Sequence, residues 1–180
     1  HSQAGNIYVR GNAVVKANST LRAGLFSNRN ITIKDNAKVT SISESDSAVD
    51  LECVLTVTGP AQLYAESELG EGIEARQKVL IQDGANVVAI GGISAENSQK
   101  EAVDIIDIDD SIVYVSSPEG KNDFVNVNVD DIGTFSVDGS WIHMSRKDEN
   151  VNIADSVVFY GSAGSVIGSA AVPGNVELTA

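Results

Sequence analysis

Residues 30–39 read NITIKDNAKV, and the same phrase returns at a fixed interval. Residues 54–63 read VLTVTGPAQL, residues 78–87 read KVLIQDGANV, and residues 6–15 read NIYVRGNAVV. Each copy stands 24 residues from the next. Ile7, Ile31, Leu55 and Val79 align. Two residues on come Val9, Ile33, Val57 and Ile81; six on, Ala13, Ala37, Ala61 and Ala85; eight on, Val15, Val39, Leu63 and Val87. Between the apolar pairs lies a polar corner, RGN, KDN, TGP or QDG. Alternation with period two marks a strand with one face inward and one outward.

A second motif recurs on the far side of each turn: AVDL at 48–51 and GIEA at 72–75. Later relatives are AVDI at 102–105, FVNV at 124–127, NVNI at 150–153 and NVEL at 175–178. After Val79 the period loosens. Residues 91–102 read as an insertion at a corner, and the next turn starts at Ile106 or Ile112. Phe135 and Val157 start two more turns. A fixed period with three short strands per turn predicts an all-β chain, a right-handed parallel β-helix (β-solenoid) of about seven coils of ~24 residues. Residues 1–180 are expected to form one domain. The Ala column predicts a tight inward corner, with Ala37, Ala61, Ala85, Ile33, Val57 and Ile81 buried.

Composition agrees with strands and turns. Val, Ile and Ala dominate the apolar residues, and 16 Gly accompany many Asn, Ser and Asp. The net charge of −13 disfavours nucleic acid and anionic lipid as partners. No apolar run approaches a membrane span, so no membrane insertion is expected. Cys53 is the single cysteine, which excludes an internal disulfide framework. A monomer is expected.

Stacking turns single residues into columns. Asp50, Glu74 and Asp104 follow the middle apolar residue of the far-side motif, and Glu44 and Glu68 form another pair at the same spacing. DIIDIDD adds Asp104, Asp107, Asp109 and Asp110, with Asp107 and Asp109 on one face of their strand and Ile106 and Ile108 on the other. Stacked carboxylates with corner carbonyls suit Ca²⁺, a hard cation that takes six to eight oxygens. The competing reading is a solvated acidic face that maintains solubility. Tyr8, Tyr64, Tyr114 and Trp141 are candidate sugar-stacking platforms, with packing as the alternative. Catalytic groupings are absent: there is no nucleophile elbow, His143 has no evident partner, and no basic residue is brought to the acids by spacing. The expectation is a protein that is not an enzyme.

Residues 70–92, GEGIEARQKVLIQDGANVVAIGG, resemble the bacterial carbohydrate-binding β-helix family that binds acidic plant-wall sugars, and residues 46–65 are a looser copy. The resemblance spans about residues 30–115, with fewer GDGI corners than the family carries. It implies a secreted or surface-anchored right-handed β-helix that binds polygalacturonate-like polysaccharide with the help of calcium. The cadence also resembles the passenger domains of bacterial adhesins. That resemblance implies a structural segment of a cell-surface protein as the alternative.

Overall fold

In the computed structural model the described residues are 1–95, 103–117, 125–127, 133–138, 141–146, 158–161 and 166–168, with side chains described for 1–95 and 106–116. All regular structure among them is β-strand. Sheet 1 stacks β1 (Ile7–Val9), β4 (Ile31–Lys34), β7 (Val54–Thr58), β10 (Lys78–Gln82), β13 (Val103–Asp109), β16 (Gly133–Asp138) and β18 (Val158–Gly161) in that order. Sheet 2 stacks β2 (Val14–Ser19), β5 (Lys38–Ser43), β8 (Gln62–Ser67), β11 (Asn86–Ile90), β14 (Ile112–Ser117), β17 (Trp141–Arg146) and β19 (Val166–Gly168). Sheet 3 stacks β3 (Leu25–Ser27), β6 (Val49–Leu51), β9 (Ile73–Ala75), β12 (Ile93–Ala95) and β15 (Val125–Val127). Every pairing is parallel, so the chain winds as a β-solenoid, with about four turns in residues 1–95. No helix among the described residues is long and apolar enough to cross a membrane.

The register is the one the repeat implies. Ile7, Ile31, Leu55 and Val79 lie on one another, as do Val15, Val39, Leu63 and Val87. Inward residues form one core, in which Ile31, Ile33, Leu55, Val57 and Ile81 are fully buried. Ala37, Ala61 and Ala85 are buried as expected, and Ser111 continues their column. The first coil is less well buried. Among the described residues no strand lies beneath it, and the inward Val15 and Ala17 of β2 are partly exposed.

Two of the corners show how the turns are made. At the first, Gly11, Asp35, Gly59, Asp83 and Asp110 all have positive φ, between 43° and 66°. Gly enters this left-handed region freely and Asp is among the few other residues that tolerate it. At the second corner a serine column closes the chain. The hydroxyls of Ser19, Ser43 and Ser67 accept the backbone N–H of Arg22, Asp46 and Gly70. Ser43 and Ser67 also donate to the carbonyls of Arg22 and Asp46 in the preceding coil, at 2.9 and 2.7 Å. One hydroxyl thus ties its own turn and the coil below it.

Later coils depart from the sequence reading in three ways. Ile106 is confirmed as the start after Val79, but Phe159, and not Val157, lies on Phe135. Ile93, and not Val103 of AVDI, lies on Ile73, so residues 91–95 belong to a regular coil rather than to an insertion. The cause is a shortened second corner: Gly91 and Gly92, both at positive φ, take the chain from sheet 2 to sheet 3 in fewer residues. A Cβ on Gly91 would stand 2.7 Å from the Gly70 carbonyl oxygen, so only glycine fits. The remainder of the expected insertion, 96–102, lies outside the described residues. Third, Trp141 stands six residues after Phe135, the spacing that puts Ala85 after Val79, yet it lies on Ile112, one position past the Ala column.

Two substitutions test this account by urea unfolding. Ala61→Leu should overfill the corner and cost about 1–3 kcal/mol. Ser67→Ala, which strands the Gly70 N–H and the Asp46 carbonyl, should cost about 1–3 kcal/mol. A midpoint unchanged in both would contradict the stacking.

Candidate functional site

Because strands alternate, each outward position builds its own column up the solenoid. On sheet 3 the outward column runs Phe26, Asp50, Glu74 and Ser94, with Asn126 next by backbone register. Asp50 and Glu74 are adjacent as expected, but Asp104 is not their neighbour. It lies in β13 of sheet 1, opposite Thr134 beside a bulge. The shortened corner supplies Ser94 in its place. Ser47 is buried and its hydroxyl lies 2.7 Å from Glu74 Oε2 and 3.1 Å from Glu71 Oε2. One hydroxyl proton serves one of these oxygens at a time.

Asp50 is the perturbed acid of this column. Burial, then the charges of Glu74 and Asp46, push its carboxyl up to about 6 from an ordinary 3.8, Glu52 adds to the rise, and the Arg76 guanidinium opposes it. Its Oδ1 is buried and accepts no hydrogen bond among the described residues. Arg76 itself pairs with Glu52 at 3.2 Å. These are the marks of a carboxyl that tends to hold its proton, and a divalent cation needs the ionised form.

The other expected acids are spread over different surfaces. Asp107 and Asp109 share the outward face of β13, with Ile106 and Ile108 buried behind them. Asp107 Oδ2 accepts from the Gln82 amide at 3.1 Å. Asp110 is exposed and occupies the left-handed corner column, where the backbone accounts for an Asp without a metal. Glu44 and Glu68 are stacked and exposed. Among the described residues no three acidic, histidine or cysteine side chains gather to hold a metal ion.

The aromatic candidates divide differently. Tyr8 is exposed on sheet 1, in the column that leads through Thr32, Thr56 and Leu80 to Asp107, and its hydroxyl accepts from the Asn6 amide. Tyr64 and Tyr114 share one outward column of sheet 2: Lys16, Thr40, Tyr64, Val88, Tyr114 and, by backbone register, His143. The neighbouring column runs Val14, Lys38, Gln62, Asn86, Ile112 and Trp141. Three of the four aromatics thus come to one sheet. The Tyr64 hydroxyl donates to Glu66 Oε2 at 2.7 Å, two residues along the same strand. Burial and that bond push the phenol up to about 12, so it stays a neutral donor. Sequence reasoning missed the amides of Gln62 and Asn86 beside the rings, although their 24-residue spacing was visible. The His1 ring stands against Phe26 with ring centroids 4.7 Å apart.

Compared with protein-family models, curated proteins and solved structures, the chain matches none.

The raised Asp50 value gives a pH test. Between about pH 4 and pH 6 the folded chain holds the Asp50 proton more tightly than the unfolded chain does. Its contribution is therefore favourable below that window and is lost as pH rises through 6. Asp50→Asn should raise the melting temperature at pH 7 and flatten its rise on acidification from pH 7 to pH 5. A parent melting temperature that falls over that range, or a variant no more stable at pH 7, would contradict the assignment.

Proposed function

We propose that the protein is a non-catalytic carbohydrate-binding module of the extracellular space or bacterial cell surface, whose ligand is a polysaccharide. The observation that carries this reading is the single outward column of Tyr64 and Tyr114 on sheet 2. Two rings on alternate coils stand about 10 Å apart, from twice the strand spacing. They are separated by Val88 and flanked by the exposed amides of Gln62 and Asn86. Pyranose rings present apolar C–H faces to aromatics and hydroxyls to amides, and a flat parallel sheet offers both in a repeating row. The proposal takes the solenoid to be right-handed, as in nearly all parallel crossovers, and to continue to about seven coils.

A structural or adhesin segment is the second reading. It is favoured by the architecture itself: stacked coils add length along one axis. The two readings separate in native gels that contain one glycan at a time. A binding module is retarded by some glycans and not others, and a stalk runs alike in all. Tyr64→Ala and Tyr114→Ala should each weaken retardation by about fivefold, on the order of 1 kcal/mol per lost stacking contact, with no release of reducing or unsaturated ends. Retardation that survives the double substitution would remove this face from the reading.

A further inference from the structure

Charge is distributed very unevenly along this acidic chain. Residues 1–34 contain Arg10, Lys16, Arg22, Arg29 and Lys34 and no Asp or Glu. All 25 acids and the other seven basic residues follow, so the first segment carries +5 and the remainder −18. The fold converts this gradient along the sequence into a gradient along the solenoid axis, because the first segment is the first coil and the opening strand of the second.

The gradient meets the aromatic column on sheet 2. Lys16 stands at the foot of that column, on Thr40 and then Tyr64. Lys38 stands beside it in the neighbouring column, on Gln62. Both lysines are exposed, and neither forms an ion pair among the described residues. Their positions are diagonal neighbours, roughly 7–8 Å apart in the backbone. On the outward positions of β2, β5, β8, β11 and β14 the sole carboxylate is Glu66, which the Tyr64 hydroxyl already occupies. In a chain of net charge −13, this face carries two cations and one engaged acid.

We propose that sheet 2 binds an anionic polysaccharide directly: Lys16 and Lys38 pair with its carboxylate or sulfate groups while a neighbouring ring stacks on Tyr64. This rests on the carbohydrate-binding reading above and specifies its ligand class. It also removes the need for a bridging cation. The acids lie mainly on other surfaces, and the residues that contact the glycan are cationic, amide and aromatic. Lysine side chains are long enough to reach anionic groups one or two coils from the ring.

The test is affinity electrophoresis of the full chain with chelator present. The gels contain polygalacturonate, its methyl ester, a sulfated galactan or a neutral glucan. Lys16→Glu/Lys38→Glu is run beside the parent, with Lys16→Gln/Lys38→Gln as the milder pair. Retardation by polygalacturonate should persist in chelator and fall as salt rises. It should drop about tenfold in the charge-reversed pair, as expected for two partly exposed ion pairs, and less in the Gln pair. The ester and the neutral glucan should bind more weakly. Equal retardation by the sulfated galactan would make anionic charge the determinant, and its absence would make the carboxylate the determinant; either supports the proposal. Binding lost in chelator, or equal binding of ester and acid that the lysine substitutions leave unchanged, would overturn it while the Tyr64 face stands. No retardation by any glycan would overturn the carbohydrate reading itself.

Discussion

The structure depends on parallel backbone pairing between coils in one unbroken register. Each strand of a coil satisfies its polar backbone on the coils above and below, and buries its inward side chains against the same neighbours. A strand cannot slip by one residue without turning its apolar set to solvent. Length changes are therefore confined to the arcs between strands. The fourth coil shows this. Six residues separate Val87 from Ile93 where ten separate Leu63 from Ile73, and eleven separate Ala95 from Ile106 where four separate Ala75 from Val79. All three strands of the coil nevertheless stay in register.

That constraint explains what was legible in the sequence. The starts at Ile7, Ile31, Leu55 and Val79 and the Ala column could be read because unaltered arcs keep the spacing at 24. Reading failed where two arcs changed together. AVDI matched the far-side motif by pattern, yet ISA at 93–95 occupies its place. A motif of apolar, polar, apolar is satisfied by any strand of a solenoid. What identifies the strand is the corner before it, and the close approach of Gly91 to the Gly70 carbonyl is a property of two coils together. The same limit affected Trp141. Six residues separate Ile106 from Ile112 and Phe135 from Trp141, where seven separate Val79 from Asn86, so in these two coils the position six after the start falls one place past the Ala column.

Acidic residues carried least information about a site, and the backbone shows why. Asp35, Asp83 and Asp110 stand where the chain needs positive φ, at the corner that Gly11 and Gly59 occupy in other coils. Their carboxylates are by-products of a conformational requirement that Gly meets equally well. Thr58 donates to Asp83 and the Gly11 N–H donates to Asp35, so these side chains also tie one coil to the next. The Asp50 and Glu74 pair differs. There, two acids are stacked on a half-buried surface at a cost that protonation of Asp50 relieves.

A solenoid lets such opposed chemistries coexist because its faces are set independently. Changing every residue of one outward column leaves the inward columns, and hence the fold, almost untouched. Sheet 3 can therefore collect carboxylates while sheet 2, built from the same coils, stays nearly free of them. Net charge describes neither face. Electrostatic interaction in water decays within about 10 Å at moderate salt, less than the reach from one side of the solenoid to the other. A ligand approaching sheet 2 therefore meets chiefly Lys16, Lys38, the amides and the rings, rather than the acidic body behind them. The overall charge of −13 argues against an anionic partner only if charge is taken to be evenly spread, and the columns show that it is not.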